Sequence, residues 1–235
     1  MRRDLIRAPL VVGLLTAALG ACVPAGAAES EQGRLRILAN GRPIGSEHYQ
    51  ISATATELQA RAEVLLEAGD EKVRQTASLL LNADGSPRHY EWKLEEPWKN
   101  WLRVEFEGSR ATIFFLREDG KQEQQLFDFA GERVAVLDVN FFHHFQLLAR
   151  LYDFARGGPQ AIPVFIPQTV QPGVVTVQLE AVETQTVEGK AQPVRRLSIT
   201  SEDNRVLLWL TESGRFVRLQ VPQANVEVLA EGATP

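Results

Sequence analysis

The sequence predicts a mainly β fold in antiparallel strands with a single helix. Three observations carry that prediction. Short runs of alternating apolar and polar residues recur from Arg34 onward, and turn signals built on glycine, asparagine or aspartate separate them. One stretch, 139–155, replaces that period of two with a helical one.

Residues 1–21 read as a signal peptide. Arg2, Arg3 and Arg7 form a basic start, and "APLVVGLLTAALGA" is an apolar run too short to span a bilayer comfortably. "RRDLIR" fits twin-arginine export as well as the Sec route. Leu19-Gly20-Ala21-Cys22 resembles a bacterial lipobox, an apolar residue and two small ones before a cysteine. That resemblance implies a diacylglycerol thioether on Cys22 and cleavage before it. At about 0.8 kcal/mol per buried methylene, two or three chains anchor stably. The alternative is an ordinary secretory cut near Ala25–Ala27 that discards Cys22. Cys22 is the only cysteine, so the body has no disulfide, thiolate metal site or cysteine nucleophile. Residues 22–33, "CVPAGAAESEQG", read as a lipidated flexible tether, and 34–230 as one β-rich domain.

Within that domain, Asn-Gly at 40–41 predicts a hairpin between "RLRILA" and "IGSEHYQIS". "ADGS" at 83–86, "EGS" at 107–109, "REDG" at 117–120, "VEGKAQ" at 187–192, "SEDN" at 201–204 and "ESG" at 212–214 divide the later runs. Leu102, Val104 and Phe106 alternate with Arg103, Glu105 and Glu107, as do Val175, Val177 and Leu179 with Thr176 and Gln178. Val217, Leu219 and Val221 alternate with Arg218 and Gln220. Such divided faces suit an antiparallel sheet with one wet side. Residues 56–81 fit a helical stripe at Leu58, Ala62 and Leu65, and also alternate. Gly69-Asp70 and the flanking strands favour a hairpin there. In 139–155, Phe141, Phe145, Leu148 and Tyr152 share one helical face beside Phe142 and Leu151, with Asp138 or Asn140 as cap and Gly157-Gly158-Pro159 as stop. "AIPVFIPQTVQPG" holds three prolines and reads as an edge or strap. The order is about seven strands, one helix and about five strands.

The central "LDVNFFHHFQLLARLYDFAR" and closing "VLLWLTESGRFVRLQVP" resemble a family of exported bacterial β-rich proteins of unknown function, over roughly residues 34–222. The chain is more distantly similar to the lipoprotein-carrier fold. That likeness implies one strongly curved antiparallel sheet or open barrel, with the helix packed on its concave face, and an apolar concavity that takes acyl chains. Neither resemblance brings catalytic residues.

The chemistry of recognised sites is sparse. His143 and His144 point about 100° apart on a helix, so they do not converge on one metal and are expected at the boundary of the aromatic helix. His48 and His89 stand apart from them. Glu95, Glu96, Asp128 and Asp138 read as solvated faces and turn caps. H-E-x-x-H, G-x-S-x-G, S-x-x-K and the phosphate-binding glycine motifs are all absent. Trp92, Trp98 and Trp101 are expected to pack into two strands rather than stack on a sugar. The chain carries −5; the three arginines and one aspartate of residues 1–21 leave 22 basic and 29 acidic residues, a net of −7. That balance excludes the electrostatic footprint of a nucleic-acid binder.

The reading is a non-catalytic, lipid-anchored binding module without a cofactor. Its expected place is the periplasmic face of a bacterial membrane. Val23 after the cysteine leans toward the outer membrane by analogy with enterobacterial sorting. An apolar ligand, a lipid or acyl chain, would be lined by Phe141, Phe142, Phe145, Leu148 and Tyr152. The alternative is an envelope scaffold with a filled core and a protein partner.

Overall fold

Each turn signal in the sequence becomes a hairpin. The computed structural model describes residues 29–233 apart from 69–70, 118 and 130–132. Eight strands come first: β1 Glu29–Ala39, β2 Arg42–Ala53, β3 Glu57–Ala68, β4 Glu71–Asn82, β5 Pro87–Glu96, β6 Asn100–Glu107, β7 Arg110–Leu116 and β8 Gln122–Asp128. Then come β9 Ala135–Val136, α1 His143–Ala149, β10 Gln160–Ile166, β11 Gln171–Val187, β12 Lys190–Thr200, β13 Arg205–Thr211, β14 Phe216–Val221 and β15 Val226–Ala230. Asn40 and Gly41 both take positive φ, 51° and 73°, as do Glu188 and Gly189 between β11 and β12. Both are turns whose twist matches the flanking strands. The stretch 56–81, which also fitted a helix, is the β3–β4 hairpin.

The strands form one sheet in the order β8-β7-β6-β5-β4-β3-β2-β1-β15-β14-β13-β12-β11-β10-β9. Two meanders, β1–β8 and β10–β15, are joined where β1 pairs antiparallel with β15, Leu35 opposite Ala230 and Ala39 opposite Val226. The short β15 was not singled out in the sequence, yet it holds the halves together. Among the described residues only β9, on β10, pairs parallel. β1 begins five residues before Arg34, because Glu29–Gly33 pair with Tyr49–Ala53 of β2. The proline-rich run forms β10, its 3₁₀ turn and the start of β11. Its outer side meets only the two residues of β9, so Pro163 removes no ladder bond from a long neighbour.

The sheet is not closed by hydrogen bonds, but it curls until its first and last strands approach. Phe165 of β10 packs its ring 5.4 Å from Phe127 of β8 and from Phe129, and 6.5 Å from Phe106 of β6. Those strands stand far apart in strand order, so only strong curvature brings them together. One continuous core fills the concave face, and α1 is packed in it. Leu102, Val104 and Phe106 point inward as expected. Val217 does not. A register shift between Trp209 and Leu210 pairs Arg218 with Trp209 and Phe216 with Leu210, so Val217 is the extra residue of a bulge. It joins Trp209, Val187 and Val194 in a second small cluster, while Phe216 and Leu219 take the core positions.

The helix is shorter than expected. Asn140 has φ 68°, which breaks a helix at its predicted start. Beyond Ala149 the backbone tightens into i to i−3 bonds at Arg150, Leu151 and Tyr152. Neither Asp138 nor Asn140 caps it. The N-cap position is Phe142, which offers no side-chain bond.

Candidate functional site

The free donors of α1 are taken by a residue 95 positions away. Glu47, on β2, accepts from Phe142 N at 2.8 Å and His143 N at 3.4 Å, and its other oxygen contacts His143 Nδ1. The alternation of "GSEHYQIS" places Glu47 on the inward face with Tyr49 and Ile51, so the strand itself buries a carboxyl under the helix. Around it lies a layer of polar side chains. Tyr90 Oη donates to Asp138 Oδ2 at 2.5 Å, and Asp138 also accepts from Val139 N and Gln168 N at 3.0 Å. Asp138 N donates to His144 Nδ1 at 3.1 Å. That bond leaves the ring proton of neutral His144 on Nε2, which is buried without a partner. At one end Gln146 Nε2 donates to both oxygens of Glu31 at 3.0 and 2.9 Å, and Tyr49 Oη donates to the same carboxylate at 3.0 Å. Residue 33 is glycine for a steric reason: a Cβ there would meet the Tyr49 ring at 2.5 Å.

Burial sets the protonation of this layer. Glu47 is fully buried, and desolvation pushes its carboxyl up to about 8 against the lowering pull of the two backbone donors. The same cause pushes His143 down to about 3. The pair therefore shares one proton and carries no net charge at neutral pH, with the un-ionised form favoured. His144 is driven down by burial and then by His143, and Asp138 is driven up by burial. Tyr49 and Tyr90 are raised, by desolvation and then by their carboxylate partners. The histidines are not at a boundary. They are buried, 4.4 Å apart centre to centre, with His143 stacked on Tyr49 and His144 against Tyr90. Asp138 is buried too rather than a solvated cap. Among the described residues no group of three or more His, Cys, Asp or Glu could hold a metal ion.

Of the residues expected to line a ligand, Phe141, Leu148 and Tyr152 lie in the core, and Phe142 and Phe145 pack against it half-buried. Tyr152 Oη donates to Gly158 O at 2.8 Å and accepts from Leu179 N at 3.3 Å, which ties the end of the helical region to β11. Cys22 falls outside the described residues. Trp92 is buried and donates to Gln75 Oε1 at 2.8 Å, while Trp98, in the turn after β5, is 66% exposed.

Two clefts lie at the rim of this layer. A cleft of about 570 Å³ lies where β1 begins and β2 ends, with Glu31 and Arg150 in its wall. A second, of about 230 Å³, shares Arg150 and Ser213 with the first and includes Gln146. At the opposite ends of the strand order, β8 and β10 meet through phenylalanine rings rather than through a ladder.

Fold and site together define an open, helix-filled antiparallel β roll. No family model matches the chain, and no curated protein matches it. A crystal structure of a DUF1089 family protein from Pseudomonas aeruginosa is similar over 76% of this chain and 90% of that one, at 12% identity and a TM-score of 0.46. The likeness is too loose to bring any function across.

Proposed function

We propose that the chain is a non-catalytic binding module, held by a lipid on Cys22 at the periplasmic face of a bacterial membrane, the outer one by preference, that takes an apolar ligand such as an acyl chain. One observation carries the binding part. Where β8 approaches β10, Phe106, Phe127 and Phe129 pack on Phe165, and the two residues of β9 cover the same edge of β10. Ring contacts of this kind contribute about 0.5–1.5 kcal/mol each beyond their burial. No ladder joins β8 to β10, so β8 can part from these rings without breaking one, and Phe141, Phe145 and Leu148 belong to the same core. The scaffold reading has its own support: His143, His144, Gln146, Leu147, Leu148 and Ala149 of α1 are all buried, which is how a plug looks.

Native mass spectrometry of protein purified without detergent, with displacement of an apolar fluorescent dye, separates the two. A co-purifying lipid and a displaceable dye support the binding module. Neither, together with a stoichiometric protein captured from membranes, supports the scaffold. Cys22→Ala should move the protein out of the membrane fraction; a variant that stays there refutes the anchor.

A further inference from the structure

The cleft between β1, β2 and the β13–β14 turn, and the smaller one it meets at Arg150 and Ser213, form one groove. Three arginines line it, Arg150, Arg195 and Arg215, in a chain of net charge −5. Arg150 and Arg195 pair with no carboxylate among the described residues, and Arg215 has only a 3.5 Å contact with Glu188 in which both side chains are more than half exposed. The guanidinium of Arg195 lies 4.5 Å above the Phe154 ring. Stacking fixes its plane and leaves its N–H donors free at the edge. Two carboxylates face the groove, Glu31 and Glu212. Glu31 is already satisfied by Gln146 and Tyr49. Gln146, 1% exposed and in the groove wall, has no partner for its Oε1. Ile51, Ala53 and Leu210 supply apolar wall beside these groups.

We propose that this groove binds the head of an anionic amphiphile: a phosphate or carboxylate on the forks of Arg150, Arg195 and Arg215, with an adjoining hydroxyl donating to Gln146. Planar guanidinium forks match such oxyanions in two-point contacts. The apolar body of the ligand rests on the reading given under Proposed function; the oxyanion seat does not.

Titration calorimetry on the full chain carrying Cys22→Ala, which needs no detergent, tests it with three probes: decyl phosphate, decanol and inorganic phosphate. Decyl phosphate should bind at least tenfold tighter than decanol, a difference of about 1.4 kcal/mol. The pair Arg150→Gln and Arg195→Gln should lose that factor, and the corresponding lysine pair, which keeps the charge but not the planar fork, should recover only part of it. Raising salt from about 0.02 to about 0.5 M should weaken decyl phosphate and not decanol, since screening acts on the charge alone. Equal binding of decyl phosphate and decanol overturns the oxyanion seat and leaves the apolar-ligand reading standing. Inorganic phosphate binding as tightly as decyl phosphate, and lost in the glutamine pair, upholds the seat and overturns that reading. An unchanged affinity in the glutamine pair, or no binding of either phosphate, overturns the seat.

Discussion

Replacing Glu47 with glutamine should remove a loss of stability that the native protein suffers as pH rises from about 6.5 to 8. In the folded state this carboxyl stays protonated up to about 8, whereas the unfolded chain ionises it near 4.5. Between those values the folded state binds one proton more than the unfolded state, so stability falls as pH rises, at up to about 1.4 kcal/mol per pH unit. Below about 6.5 the trend is opposed. His143 and His144 stay neutral when folded and become charged when unfolded, so folded stability is lost as pH drops through their ordinary range. Above it, Glu47 dominates and contributes a fall of roughly 1.5 kcal/mol by pH 8. Asp138, raised by the same burial, can only add to the fall. Glutamine reproduces the protonated carboxyl: its oxygen accepts from Phe142 N and His143 N, and its amide faces His143 Nδ1. Urea unfolding at half-unit steps from pH 6 to 8.5 would measure both proteins. The expected result is a difference between variant and native protein that grows by roughly 1.5 kcal/mol between pH 6.5 and 8, in favour of the variant. A constant difference would refute the assignment of the buried proton to Glu47.

Tyr90→Phe should cost about 1–3 kcal/mol in the same assay, because it leaves a buried oxygen of Asp138 without its 2.5 Å donor. Phe165→Ala should cost about 3–5 kcal/mol, since its ring is fully buried against three others. The same variant should take up an apolar fluorescent dye faster than the native protein, as stopped-flow fluorescence would show.

Most of the hairpins were legible because turns are local: Asn40-Gly41 and Glu188-Gly189 carry their backbone geometry in the residues themselves. The alternation of Leu102, Val104 and Phe106 likewise foretells a face. The bulge at Val217 was not legible, because it depends on the partner strand and leaves the apolar period of β14 unchanged. The ends of α1 were missed for a similar reason. The helical spacing of apolar residues runs from Phe141 to Tyr152, past both ends of α1, but Asp138 is drawn into bonds with Tyr90 and Gln168 from distant segments, and Asn140 turns left-handed beside it. A usable signal for the buried layer did exist in "GSEHYQIS", where Glu47 occupies the inward register with Tyr49 and Ile51. A charged residue at a core position asks for a partner, and His143 answers it from 96 residues away.

By itself, the sequence determined the strand-and-turn order, the predominance of β structure and the presence of one aromatic-rich helix, since those follow from periods and turn chemistry read within a few residues. Tertiary structure alone decided that β15 clasps β1, that Phe165 of β10 meets the rings of β6 and β8, and that Glu47, His143, His144, Asp138 and Tyr90 share one buried layer. Each of these depends on groups far apart in the chain, and the free energy of burying a charge or a ring is set by what surrounds it in space.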